Sequence, residues 1–405
     1  MPTPERPQLR PFLAAARDER DPRYVILWDQ LGLNNKPQRM TLAEAQWLRL
    51  FDGRRSLRDI QVEAMRQASG QLLPLELFAA LVQKLDEALF LEGPRFRERT
   101  ANPIREPSCL GSYEADPDAL RQQLRRLFTS PKGPGLPREP QPNGRLRAAL
   151  LPHIDYHRGG ATYAWGFKEV FERTDASLFV IIGTSHQPVS RRFTLTRKHF
   201  KTPLGVVPTD QTYIDRLVAH FGNGLFDDEL LAHLPEWSIE LEVVFLQYLY
   251  ENQRPIRIVP LVVGSFHDSV VTGSLPSFRE DIGRMIEALR RAAAAMTEPI
   301  CYLISGDLAH IGPKFGDPWP VADPFLTHSR EQDYALLRQA EAADPAGYFR
   351  VIAEEGDRRR ICGLPPTYTV LEAVRPRRGK LLHYDQYVHP LGEESVSFAS
   401  VAFYQ

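Results

Sequence analysis

Cysteine is scarce in this chain: Cys109, Cys301 and Cys362 are the three among 405 residues, far apart and odd in number. That excludes a disulfide framework and fits a reducing compartment. Neither sign of charge is in surplus. Lysine plus arginine number 50 against 51 acids, a formal net charge of -1, so the overall field offers nothing to draw nucleic acid or an anionic membrane. Long hydrophobic runs are missing as well, and no stretch approaches the apolar length needed to span a bilayer. The start, Met1-Pro2-Thr3-Pro4-Glu5-Arg6, lacks the basic and then apolar pattern of a secretory signal. No internal repeat is found, and Gly159-Gly160 has neither the Walker lysine nor the three-glycine spacing of a nucleotide fingerprint. These absences predict a soluble cytoplasmic protein that binds neither nucleic acid nor membrane. With 43% apolar and 25% charged residues, the chain is an ordinary globular sequence long enough for two domains.

Residues 1–20 are Pro-rich and charged without an apolar period, which predicts a disordered tail. Over 21–100 the pattern is of a small helix-rich domain. Tyr24 to Trp28 reads as a strand, Thr41-Leu42-Ala43-Glu44 and Ser56-Leu57-Arg58-Asp59 open two helices, and a third helical stripe runs from Leu75 to Leu89. Its order resembles a winged helix, and in particular the PqqD-like modules that hold peptide substrates for radical SAM enzymes. The third helix carries Glu76, Asp86 and Glu87 against a single Lys84, the wrong charge for a DNA-reading helix. Ser130 to Gly144 is rich in Pro and Gly, yet the boundary is placed earlier, near Asn102, so that 101–405 form the second domain. There, strands near 146, 178, 256, 300 and 381 alternate with helices near 161, 210, 236, 277 and 329, and Val396 to Phe403 reads as one further strand. Such alternation predicts an α/β fold with a mainly parallel sheet covered on both faces.

Histidines mark one edge of that sheet. His153, His186 and His310 each follow an apolar run, Leu146 to Leu151, Leu178 to Ile182 and Ile300 to Ile304, at the strand ends where open α/β sheets bind ligands. His153 and His186 are the first two candidate metal ligands. Cys362, in Arg360-Ile361-Cys362-Gly363-Leu364-Pro365-Pro366, is either a third, with its thiolate favoured by Arg358, Arg359, Arg360 and the helix start that follows, or an inert buried residue. Asp307 and His310 stand three apart. Asp307 either fixes a ligand histidine's tautomer or caps a helix, and His310 either transfers protons or lies at the surface. Glu236 and Glu240 read first as acids of a solvated helix start, with a place at the pocket mouth as the alternative. His157, His199, His220, His233, His267, His328, His383 and His389 show no such convergence.

At these residues the chain resembles the Memo family, specifically the bacterial proteins called AmmeMemoRadiSam system protein B. The resemblance runs from about Cys109 to Gln405 through Gly111-Ser112-Tyr113, Pro152-His153, Gly183-Thr184-Ser185-His186, Thr202-Pro203-Leu204-Gly205, Ile258 to Gly264, Ser305-Gly306-Asp307 with His310, Cys362-Gly363 with Pro366, and Ser395-Val396-Ser397. It implies a fold shared with class III extradiol dioxygenases and a site for iron or copper. By position the implied ligands are His153, His186 and Cys362, with Asp307 and His310 beside the metal. It also implies a radical SAM enzyme and an AMMECR-type protein as partners. Two departures stand out: Trp237 occupies a place where the family commonly has histidine, and Asp155 one where glycine is frequent.

Two imidazoles and a thiolate suit iron, copper or zinc and fit magnesium or calcium poorly. The leading expectation is a Memo-like, iron-dependent oxidoreductase related to dioxygenases, in which His310 relays protons to or from a small molecule or peptide. The alternatives are a non-catalytic recognition module within a radical SAM complex and a zinc hydrolase.

Overall fold

The computed structural model describes residues 4–142 and 145–405. Met1 to Thr3 of the expected tail, and Asn143 and Gly144 at the end of the Pro/Gly stretch, lie outside the described residues. The chain divides into two compact units, Met1–Pro103 and Ile104–Gln405.

The first unit contains β1 (Leu13–Arg17), β2 (Tyr24–Asp29), β3 (Gln38–Thr41), α1 (Leu42–Trp47), α2 (Leu57–Gln67), α3 (Leu75–Glu87) and α4 (Pro94–Ala101). Both expected capping boxes are formed, Thr41 with Glu44 and Ser56 with Asp59, each satisfying two backbone donors at a helix start. Phe78, Leu81, Val82 and Leu85 of α3 pack with Ile60, Trp47 and Phe51 in one small core. The expected tail is a correction. β1 pairs antiparallel with β2, and bridges join Gln8 to Asp52 and Leu9 to Leu91. The reason is a buried ion pair that composition does not reveal: Arg10 reaches Asp29 with neither side chain exposed, and its Nε donates to the Leu89 carbonyl at 2.6 Å.

The second unit runs β4 (Ile104–Arg105), α5 (Pro117–Thr129), β5 (Leu146–Leu151), α6 (Tyr156–Arg173), β6 (Leu178–Thr184), β7 (Phe193–Leu195), β8 (His199–Thr202), β9 (Gly205–Val207), α7 (Gln211–Phe221), α8 (Glu229–His233) and α9 (Ser238–Tyr250). It continues with β10 (Arg257–Val263), α10 (His267–Thr272), α11 (Glu280–Ala294), β11 (Ile300–Ser305), β12 (His310–Ile311), α12 (Phe325–Glu341), α13 (Pro345–Glu354), α14 (Leu364–Val374), β13 (Arg378–Val388) and β14 (Ser395–Tyr404). The main sheet has the order β12-β14-β5-β11-β6-β10-β7, with β13 paired to β14. Its centre, β5-β11-β6-β10, is parallel, and the flanking β14, β13, β12 and β7 are antiparallel.

The near-continuous apolar strands are explained by burial on both faces. In β6, Leu178, Val180 and Ile182 enter one core with residues of α7, α11, α13 and α14. Phe179 and Ile181, one residue out of phase, enter the other with residues of α5, α6 and α9. The Pro/Gly stretch after α5 is held against α6, where Gln141 N–H donates to the Glu172 carbonyl at 2.8 Å and Arg138 N–H to its side chain at 2.8 Å. The strand pairing sets the loops after β5, β11 and β6 side by side at one edge, bringing His153, Asp307 and His186 to neighbouring places.

Candidate metal centre

Three helices begin at this edge: α6 directly after the His153 loop, α9 at Ser238 and α14 directly after Cys362. Helix N-termini carry partial positive charge, but burial outweighs it at the thiol and the carboxyl of this site. Two glycines let the outer loops meet. A Cβ on Gly306 would lie 2.5 Å from the Gly363 Cα, and one on Gly363 would lie 2.7 Å from the Asp307 carbonyl oxygen. Only residues without side chains permit that approach. Below them, Ser305 Oγ donates to the Ser238 carbonyl at 2.6 Å, Ser238 Oγ to the Thr184 carbonyl at 3.1 Å, and Thr184 Oγ1 to the Cys362 carbonyl at 2.8 Å. These bonds tie β6, β11, α9 and the Cys362 loop into one frame.

Within it, one nitrogen of His153, one carboxylate oxygen of Asp307 and the Cys362 Sγ lie within 4.8 Å of one another. His153 Nε2 stands 3.1 Å from Cys362 Sγ and 3.8 Å from Asp307 Oδ2. Asp307 Oδ1 accepts the His153 backbone N–H at 3.0 Å. An imidazole, a carboxylate and a thiol are a borderline-soft donor set, suited to iron, copper or zinc. Burial, with His186 close by, holds the His153 pKa well below the ordinary value, so its nitrogen is a neutral, available donor. Burial also pushes the Asp307 carboxyl up and, aided by Asp307, pushes the Cys362 thiol well above its usual range.

That last direction corrects the expectation of an arginine-stabilised thiolate. Arg359 is engaged by Asp333 and Glu355, Arg360 by Asp317, and Arg358 is exposed. The guanidinium groups hold their own loop together, and a bound cation is what would deprotonate the sulfur.

His186 is brought to the same place but stands differently. Its ring centroid is 4.9 Å from that of His153, while its nitrogens fall outside the tight donor group. Thus Asp307, expected as an orienting carboxylate, takes the position in that group assigned to His186. Glu236 holds His186 back: Oε1 meets Nδ1 at 2.9 Å and Oε2 accepts the His186 backbone N–H at 2.9 Å. The same carboxylate caps α9 by accepting from Trp237 N and Ser238 N at 3.0 and 2.9 Å. Burial opposes the charge, but His186 and these amides outweigh it and bring the Glu236 pKa down to about 2. An ionised carboxylate on Nδ1 fixes the tautomer, leaving Nε2 as the lone-pair nitrogen. Trp237 stacks on the imidazole with centroids 3.9 Å apart.

His310 lies on β12, its Nδ1 3.1 Å from the Leu308 and Arg360 carbonyl oxygens. Burial lowers its pKa, opposed by the Asp307 charge. A neutral imidazole with Nδ1–H given to carbonyls keeps Nε2 free to accept a proton.

His153, His186, Trp237, Asp307 and His310 line a cavity of about 470 Å³, whose walls also include Cys109, Asp155, Arg158, Lys314, Phe315 and Glu394. Cys109 and the two acids of the helix start are what sequence reading under-valued. Glu236 is 1% exposed, and Glu240 is fully buried against Arg105, also accepting from Tyr113 Oη, Ser108 N and Ser108 Oγ. Their spacing at one helix start was visible, but partners far away in sequence were not. Among the eight histidines set aside, His233 is buried with Nε2 on the Thr194 carbonyl, away from this cavity.

A sequence profile of the Memo-like protein family matches residues 105–402. The chain is similar to a MEMO1 family protein of Aquifex aeolicus, 28% identical over 373 residues, covering 88% of this chain and 90% of that one. Another, MEMO1 family protein MK0963 of Methanopyrus kandleri, is 29% identical over 307 residues, covering 74% of this chain and 98% of that one. The Aquifex match is longer than the second unit, so it extends into the first. No helix of the described residues is long and apolar enough to cross a membrane. With nearly the whole second unit matched by the family profile, the chain belongs to the Memo-like protein family.

Proposed function

We propose that this Memo-like protein is an iron-dependent oxidoreductase of dioxygenase type, acting in the cytoplasm on a small molecule or peptide. The observation that carries the reading is the meeting of His153, Asp307 and Cys362 beside a cavity that also receives His186 and His310. His153 and Cys362 would hold the ion, with Asp307 or His186 completing the set. Bound iron would supply a Lewis-acidic centre able to change oxidation state. The chain's own groups do the rest. Glu236 and Trp237 set the plane of His186, His310 takes or returns a proton at Nε2, and the cavity wall orients the substrate and limits water.

Metal content after purification without oxygen, repeated for His153→Ala and Cys362→Ser, tests the site. Each change should sharply lower occupancy, and equal metal in all three proteins refutes it. Oxygen uptake with reconstituted iron and a panel of phenols and diols tests the reaction. Background uptake across the panel refutes that part, and zinc content without redox response favours a zinc hydrolase instead.

A second reading is favoured by the separate front unit, whose pattern resembles PqqD-like winged helices. In it the protein recognises a peptide or partner within a complex of a radical SAM enzyme and an AMMECR-type protein, copper or iron having a structural role. Capture of such a radical SAM enzyme that depends on residues 21–98 supports this reading. Rapid turnover by the isolated protein refutes it.

A further inference from the structure

We propose that the cavity selects a flat, conjugated molecule bearing an anionic group, with Lys314 as the residue that recognises the anion. The inference rests on the same cavity being the substrate site. The order of strands along the edge places two aromatic pairs apart, His310 with Phe315 beside β12 and His186 with Trp237 beyond β6, with His153 and Asp307 between them. A space of about 470 Å³ between such walls takes a molecule of one or two rings.

Charge on the wall is arranged as a chain. Asp155 Oδ2 meets Arg158 Nε at 2.5 Å, Arg158 Nη1 meets Glu394 Oε1 at 3.3 Å, and Lys314 Nζ meets Glu394 Oε2 at 2.6 Å. Two cations balance two carboxylates, so an anion is recognised through exchange of a partner rather than through a surplus field. Arg158 is fixed by two acids and lies over the Tyr387 ring at 5.2 Å. Among the described residues Lys314 has one carboxylate partner, and it has a side chain 55% exposed and a place in a short turn bounded by Gly312 and Gly316 at φ 112° and 90°. When its ammonium turns to a ligand, Glu394 keeps Arg158, so no buried carboxylate is stranded. Lysine, a compact charge on a flexible stem, suits that exchange better than arginine's fork.

Calorimetry on the full-length protein under nitrogen tests this with 4-hydroxybenzoate, 4-hydroxybenzamide and cyclohexanecarboxylate. The planar acid should bind roughly tenfold or more tightly than the neutral amide or the puckered acid, as a charge-assisted contact allows. Lys314→Met should bring the planar acid down to the affinity of the amide without changing the amide, and Lys314→Arg should keep a preference for the acid. Equal or undetectable binding of acid and amide to the unaltered protein overturns the proposal, as does an undiminished preference in Lys314→Met. Because binding is read without oxygen, these outcomes are separate from a failure of the oxidoreductase reading.

Discussion

Replacing Arg105 by methionine strands a carboxylate at the base of the wall that carries Cys109 and Ser112. Arg105 and Glu240 are both fully buried, and the guanidinium also donates to the His233 carbonyl at 3.0 Å and to Ser108 Oγ at 2.6 Å. Breaking such a pair costs about 3–5 kcal/mol. An independent bound comes from protonation. Burial drives the Glu240 carboxyl up, and Arg105, followed by Tyr113, more than reverses it, leaving the pKa below the ordinary 4.5. Without Arg105 the carboxyl would fold as the neutral acid. At pH 7, about 2.5 units above its unfolded value, that costs about 3.4 kcal/mol at 1.36 per unit. The two estimates agree.

The sign of the pH effect follows. In the unaltered protein the depressed pKa gives stability that is present above pH 4.5 and lost below it. In the variant the raised pKa gives stability that is present below about 4.5 and lost as pH rises. The deficit of Arg105→Met should therefore shrink by about 1.4 kcal/mol for each unit from pH 7 toward 5. Scanning calorimetry that resolves the second unit's transition should show melting lowered by roughly 5–8 °C at pH 7. Arg105→Met with Glu240→Gln should recover more than half of the loss. A deficit under about 1 kcal/mol, or one that does not change with pH, would refute the reasoning.

Other perturbations address the site and the front unit. Gly306→Ala, whose Cβ would strike Gly363 Cα, should cost about 1–3 kcal/mol and weaken metal binding at least about tenfold in competitive chelator titrations; unchanged affinity would show that the loops need not touch. Because the Cys362 thiol is raised, metal loading at pH 7 should release about one proton more than in Cys362→Ser, seen with a pH dye in weak buffer, and affinity should rise with pH; equal release by both proteins would exclude the sulfur as a ligand. Deleting residues 1–20 should unfold the first unit, through loss of β1 and the Arg10–Asp29 pair, and show as lost amide protection over α2 and α3. Retained protection would restore the tail reading.

Periodicity made the second unit legible because a strand buried on both faces must be apolar throughout, as Leu178 to Ile182 is. The loops following such strands then had to share an edge, which is why His153, Asp307, His186 and His310 could be singled out from placement alone. Orientation was not legible. Whether Asp307 or His186 approaches the sulfur depends on Glu236, 50 positions beyond His186, and on the Gly306–Gly363 contact. Glu236 and Glu240 carry the pattern of a solvated helix start, and the partners that make them buried anchors, His186 and Arg105, are remote in sequence. The same blindness hid the order of the first residues, where Arg10, just before β1, finds its acid at the end of β2. The arginines before Cys362 misled for the converse reason: charge adjacent in sequence was already consumed by Asp333, Glu355 and Asp317.

The last strand of the chain does not lie at the rim of the sheet. β14 is inserted between β12 and β5, and Cys362 follows His153 by 209 positions. The edge of β5 therefore stays unpaired until a strand far along the chain reaches it, a long-range closure that makes this side of the sheet slow to form and exposed to mispairing in the meantime.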